Sequence, residues 1–329
     1  MKNLFSLERV TTVVIIIGAL TFHQFAGYYG HEILAEIAIL AIFAMSLDLL
    51  VGYTGMISLG HAAFLGIGSY ATGILTVHMG WSVAPSLVIS ILVAGLVAAL
   101  VGLFVVRLGG IFFIMITLAI SQMFHAYFLK NREYGGDDGM PGIPRIDLES
   151  FGLNSFDPAD FALFTLFVAV IIYLLLDLVT NSPFGRYLIG IHQNENRMRS
   201  LGVPINRYKL AIFIVAGTIA GLAGSLQAQH MGFVSPDAMY WTVSGIVLIM
   251  VIVGGTGSLV GAIIGAATVQ LMTHEISSLT EHWMIYMGIF FIGVVLFASD
   301  GLYGTFARQW RRFREQRTRP ETQRMDGDA

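Results

Sequence analysis

Cysteine is absent from the 329 residues. That excludes disulfides, thiolate metal sites and a cysteine nucleophile. Charge is scarce: 12% of residues are Asp, Glu, Lys or Arg, against about 25% in soluble domains. Hydrophobic residues make up 56% and mean hydropathy is +0.75. Apolar runs over most of the length exclude a chain of two soluble domains and indicate a polytopic membrane protein. No GxxxxGK[ST] occurs, so the chain holds no ATP by a P-loop. Uphill work would draw on a partner or an ion gradient. HExxH is missing too, and Asp48 and His61 stand thirteen apart, which is no metal-ligand spacing. No metal, cofactor or catalytic residue is expected. The net charge of −3 decides nothing. Lys2 and Arg9 precede an apolar run that reads as a first span, without a cleavage pattern.

The most informative stretch runs from Asp48 to Leu75, DLLVGYTGMISLGHAAFLGIGSYATGIL. It is apolar enough for lipid, yet glycines at 52, 55, 60, 66, 68 and 73 interrupt it. Asp48, Tyr53, Thr54, Ser58 and His61 make it polar. A simple anchor needs none of these. Glycine and polar groups at membrane depth are tolerated where backbone is buried in protein or lines a cavity. The stretch suggests a passage for a solute.

A span needs about 20 mostly apolar residues. Candidates lie at 10–26, 33–51, 57–77, 82–106, 111–129, 161–179, 210–229, 243–259, 261–273 and 283–298. The segment at 57–77 is glycine-rich and that at 261–273 short, so either is a candidate for a broken or re-entrant helix. The expected fold is all-α, with about eight to ten transmembrane helices. Lys and Arg set orientation. With ten crossings and a cytoplasmic N-terminus, the inside pieces collect fifteen of the 18 basic residues. The other three, Lys130, Arg132 and Arg145, share loop 130–160 with seven acidic residues, so that loop belongs outside. Residues 1–300 then form the transmembrane domain. Residues 301–329 form a basic cytoplasmic tail, expected to lack ordered structure. Its arginines can touch anionic lipid, but a topology signal is the simpler reading.

The cytoplasmic loop 180–209 is long for a helix connection, and long ordered loops are usually functional. Tyr187 to Leu201 fits one short amphipathic helix, with Tyr187, Leu188, Ile191, Met198 and Leu201 on its apolar side. Gly202 is placed to cap it and Pro204 to stop it. Two readings stand: a dock for a soluble partner, or a helix lying on lipid headgroups.

Asp48 is the main intramembrane charge. A carboxylate at the bilayer centre costs about 2.5–3.5 kcal/mol; near a helix end the cost is smaller. A structural acid bonded to backbone freed by the glycine break is favoured over a path-lining residue or an ion partner. Glu36 can snorkel to the interface. His61 more simply caps the broken helix or bonds another span than lines a path, and Thr54 and Ser58 more simply bond backbone carbonyls than a solute. Gly257, Gly261 and Gly265 recur at four-residue spacing, as do Gly217 and Gly221. On a helix that clears a face for a neighbour. GTGSLVG lacks the preceding strand of a dinucleotide fingerprint.

Five segments together carry a resemblance: GYTGMISLGHAAFLGIGSY (52–70), FGRYLIGIHQNENRMRSLGV (184–203), YKLAIFIVAGTIAGLAGSL (208–226), GFVSP (232–236) and VGGTGSLVGAIIGA (253–266). In order, from about residue 33 to 300, the chain resembles the LivM/LivH-type permeases of bacterial importers for branched-chain amino acids, the LivM branch more than the LivH. The resemblance implies an inner-membrane subunit with both termini cytoplasmic. It implies a LivH-like sister permease, two cytoplasmic ATPases and a periplasmic binding protein as partners, and no nucleic acid. Residues 184–203 match the family's coupling segment, and Gly185, Arg186, Asn194, Glu195, Arg199 and Gly202 occupy its recurrent positions. His192-Gln193 stands where relatives often carry Arg-Glu. Systems for urea, short amides, other amino acids or aromatic acids share these motifs.

Two other classes compete. An ion-coupled secondary transporter would show two similar halves with matched broken helices. The segments 52–73 and 254–266 are candidates for such a pair, but the halves show no clear echo. A membrane enzyme would need a clustered acid, base or nucleophile, and none stands out. The permease reading is favoured, because a basic, helix-forming loop at 180–209 accompanies a missing ATP motif.

Overall fold

The computed structural model describes residues 2–149, 154, 157–298 and 300–318. Each expected apolar segment falls on a helix. The long helices are α1 (Lys2–Phe25), α2 (Tyr28–Thr54), α3 (His61–Gly73), α4 (Val83–Val105), α5 (Ile111–Lys130) and α6 (Pro158–Asn181). Two short helices follow, α7 (Pro183–Gln193) and α8 (Glu195–Ser200). Then come α9 (Ile205–Met231), α10 (Trp241–Gly254), α11 (Leu259–Leu279), α12 (Trp283–Phe297) and α13 (Gly301–Thr318). Among the described residues, α2, α4, α5, α6, α9 and α11 are long and apolar enough to cross a membrane. The α10 helix has 14 residues, about 21 Å of rise, short of a core about 30 Å thick.

The α2 helix is the hub. It is apolar all round and buried from Leu34 almost without interruption to its end, as expected of a helix enclosed on every side. Around it pack α6, α9, α10 and α11, while α3 and α4 lie against α9. Side chains facing away from the bundle are large and apolar: Leu92, Leu96 and Phe104 on α4, Ile289 and Ile292 on α12. A water-soluble protein rarely exposes so broad an apolar surface; here lipid covers it.

Small residues set the closest approaches. A Cβ on Gly217 would stand 2.4 Å from the Ala98 Cβ, and one on Gly221 2.2 Å from that of Ala94. The α9–α4 contact therefore uses the small-residue face expected from the sequence. Gly261 and Gly265 do the same for α11 on α10, with Gly265 against the Met250 carbonyl. Gly257 is a correction: at φ +79° it lies in the turn before Ser258, the α11 N-cap, and not on a helix.

Three further expectations change. The segment expected at 57–77 begins helix only at His61, and its last turn, Ile74–His78, is a π-helix. The segment at 261–273 is not short but part of a continuous 21-residue helix. The tail expected to lack structure is helical from Gly301 to Thr318, because Tyr303 and Ala307 have a core to bury against. Residues 319–329 of that tail lie outside the described residues.

At one end of the bundle, β1 (Met140–Pro141) pairs antiparallel with β2 (Phe233–Val234). Arg145 fastens this loop. Its Nη2 donates to Glu32 Oε1 and to the His230 carbonyl, both at 3.3 Å, and its guanidinium lies 4.7 Å from the Phe161 ring centre. At the other end, His192 of α7 meets Gly52. Glu32 and Gly52 are twenty residues apart on α2, about 30 Å along the axis, one hydrocarbon thickness.

Candidate functional site

Asp48, Tyr53 and Thr54 of the 48–61 stretch lie on the last turns of α2. Gly55, at φ +73°, ends α2 in a left-handed turn, which glycine adopts at no steric cost. Residues 57–60 run without helix before α3 starts at His61.

Asp48 is fully buried. Its Oδ1 accepts from the Gly257 N–H at 2.8 Å. The carboxylate therefore grips the turn between α10 and α11 from inside the bundle. Gly52, one helical turn on, permits this. A Cβ there would stand 2.1 Å from the Gly257 nitrogen and 2.3 Å from Asp48 Oδ1. The two glycine-rich blocks of the sequence, two hundred residues apart, thus close on each other backbone to backbone.

The other four residues are held locally. Thr54 Oγ1 donates to the Leu50 carbonyl at 2.7 Å, and Ser58 Oγ accepts from the Gly60 N–H at 3.3 Å. His61 is fully buried. Its ring stacks on Phe43 at 5.4 Å between centres, and its Nε2 is 2.8 Å from Ser46 Oγ. Because Ser46 Oγ already donates to the Phe43 carbonyl at 2.7 Å, His61 Nε2 is the donor of that pair. Tyr53 is buried at the last turn of α2. Asp48, Tyr53 and Thr54 share that helix end; His61 is tied instead to Phe43 and Ser46, further back along α2.

Of the 184–203 residues, the structure makes two helices where one is expected. Asn194, at φ −161° and ψ 96°, breaks the run, and its Oδ1 caps α8 by accepting from Arg197 N at 2.9 Å. An Asn side chain competes for backbone N–H groups and so favours a new N-terminus over a helix interior. Gly185 packs against the Thr180 carbonyl, which no Cβ would allow. Arg186 is exposed. Glu195 bridges two cations, Arg199 at 3.1 Å and Lys209 at 2.7 Å. Gly202, at φ +80°, turns the chain after α8, as the sequence suggests, while Pro204 caps the start of α9. Leu188 and Ile191 seat α7 on the bundle.

Sequence reasoning missed three contacts here: Glu195–Lys209, His192–Gly52 and Asp48–Gly257. Two of them gave a signal, Lys209 where α9 turns apolar and Asp48 in its apolar span, since a buried charge requires a partner.

Two cavities open among the helices. One, of about 290 Å³, lies among α1, α2, α6 and α11, lined by groups such as Ile16, Phe22, Ile37, Met45 and Val170. It suits hydrocarbon, not a zwitterion. The other, of about 270 Å³, is polar and lies under the 255–258 turn, with Glu8, Asp300 and Arg308 around it.

Residues 31–299 match the family model described as "Branched-chain amino acid transport system / permease component". The chain is 30% identical to the high-affinity branched-chain amino acid transport system permease protein LivM of Escherichia coli, covering 79% of this chain and 67% of that protein. It is 26% identical to the probable branched-chain amino acid transport permease protein LivM of Methanocaldococcus jannaschii, over 68% and 74%. The ribose import permease protein RbsC of Haemophilus influenzae is 26% identical over 45% of this chain and 46% of its own. No solved structure matches.

Proposed function

This chain belongs to the family of branched-chain amino acid transport permease components, and from that membership we propose that it is a membrane-spanning subunit of an ATP-driven importer of branched-chain or related small amino acids and amides. The observation that carries the reading is the match over residues 31–299, which takes in both glycine blocks and the 180–209 loop. In this reading ATP hydrolysis belongs to two cytoplasmic partners. A periplasmic binding protein delivers the solute, and a LivH-like sister permease completes the path. Loop 180–209 and both termini face the cytoplasm of the bacterial inner membrane, and loop 130–160 faces the periplasm.

Four exposed residues of the 184–203 segment support a docking role. Arg186, Asn194, Arg199 and Gly202 are exposed, and Glu195 stands half-buried between two cations. A small surface held by a buried Lys209 and two apolar seats is rigid enough to carry force. Asp48, Tyr53, Thr54, Ser58 and His61 we assign to shaping the inner wall of the path, with Asp48 holding the α10–α11 turn.

The test is uptake by liposomes containing this chain, its sister permease and the ATPases, supplied with binding protein and ATP. Accumulation that requires ATP and loaded binding protein supports the reading. Accumulation by this chain alone, driven by protons or sodium, makes it a secondary transporter instead. A thermal-shift screen of the co-purifying binding protein against amino acids, urea and amides identifies the solute.

A further inference from the structure

One hydrogen bond ties the end of α7 to the last turn of α2. His192, on the last turn of α7, places Nδ1 2.9 Å from the Gly52 carbonyl. A carbonyl only accepts, so Nδ1 carries the proton and donates. The ring edge also closes over Gly55, where a Cβ would stand 2.9 Å from His192 Cδ2. Gly52 lies backbone to backbone against Gly257, and Asp48, one turn back, takes the Gly257 N–H at 2.8 Å. Gly255, two residues before, rests against Gly301 at the start of α13.

The contacts therefore run without a gap from α7 through Gly52 to the turn that joins α10 and α11. Each joint is bare backbone or a single hydrogen bond. No long side chain stands between to absorb a displacement, and close-packed protein transmits strain rather than dissipating it. The seat of α7 is separate: Leu188 and Ile191 are buried beneath it and Gly185 packs on Thr180. His192 itself is exposed, where a hydrogen bond adds little net stability. It is poorly placed to hold the fold and well placed to link two moving parts.

We infer that His192 is the positioning residue through which displacement of α7 reaches the α10–α11 turn. This rests on the reading of 180–209 as the ATPase-facing loop. The assembly is purified with His192→Ala, His192→Asn and His192→Gln in this chain. Asn sets an amide N–H near the position of Nδ1; Gln sets its own near Nε2. Three quantities are read: ATPase co-purification, hydrolysis without binding protein, and stimulation by loaded binding protein.

Ala and Gln should keep the ATPase bound and leave unstimulated hydrolysis within about twofold. Stimulation should fall by about 2- to 30-fold, the range single contacts along such networks command, and Asn should restore it. Wild-type stimulation in the Ala variant overturns the inference, as does Gln performing as well as Asn. Loss of the ATPase from the Ala variant also overturns it, by making His192 a docking residue, and leaves the importer reading standing. Failure of loaded binding protein to stimulate even the wild-type assembly removes the importer reading and this inference with it.

Discussion

Gly52→Ala adds one methyl group where the backbones of α2 and the 255–258 turn approach each other closely. Gly52 is helical and not among the glycines with positive φ, so backbone strain plays no part. Ala should even gain about 1 kcal/mol of helix propensity. Against that, the new Cβ would stand 2.1 Å from the Gly257 nitrogen and 2.5 Å from its Cα. Carbon contacts settle near 3.5 Å or beyond, so the 255–258 turn must retreat by about 1.4 Å. Overpacking of this kind costs about 1–3 kcal/mol. The retreat also stretches the Asp48–Gly257 hydrogen bond, and a bond to a charged group contributes about 1.5–3 kcal/mol. The net destabilisation is on the order of 3 kcal/mol. Gly288→Ala on α12 is the control, since nothing lies within 4 Å of its Cβ position. Both variants are purified in detergent and their thermal unfolding followed by intrinsic fluorescence. Gly52→Ala should melt well below the wild type, and Gly288→Ala at or slightly above it. Equal melting of the two variants would refute the claim that Gly52 and Gly257 bear directly on each other.

Topology is testable because the chain has no cysteine of its own: a single cysteine at Asp138 should react with an impermeant maleimide from the periplasm and one at Asn194 should not, and the reverse pattern sinks the orientation. Asp48→Asn keeps an acceptor for the Gly257 N–H and should retain most uptake, whereas Asp48→Ala leaves that N–H unpaired at a cost of about 1–3 kcal/mol; an Asn variant that assembles but does not transport would make Asp48 a solute or ion contact. Gly202→Val forces a β-branched residue to φ +80°, and Glu195→Lys sets a third cation beside Arg199 and Lys209. Both should insert normally yet lose ATPase in co-purification, and unchanged capture of the ATPase would remove α8 from the docking surface.

Much of the architecture was legible in the chain itself. Lipid allows few solutions, so apolar length located the helices of the membrane domain, and basic asymmetry gave an orientation to test. Gly217 and Gly221 marked a close helix contact for the same reason: spacing on one helix is a local property. Where a helix stops was harder to read. Asn194 splits α7 from α8 through a cap that competes with helix continuation, and α13 forms because Tyr303 and Ala307 have a core to bury against. The first is a local cap that apolar periodicity does not show; the second depends on residues distant in sequence. The long-range contacts of the candidate site lay beyond local reading. Asp48 and Gly257 are 209 residues apart, and His192 and Gly52 are 140 apart. One-dimensional pattern shows that each is unusual for its place; only packing reveals that the bare backbone of Gly52 admits Gly257 on one side while its carbonyl receives His192 on another. The sequence by itself determined a bundle of membrane helices with two glycine-broken blocks and one exposed loop. The tertiary structure decided that these three features meet at a single point, because a hydrogen bond of under 3 Å and a glycine-to-glycine contact are satisfied only by groups that the whole fold brings together.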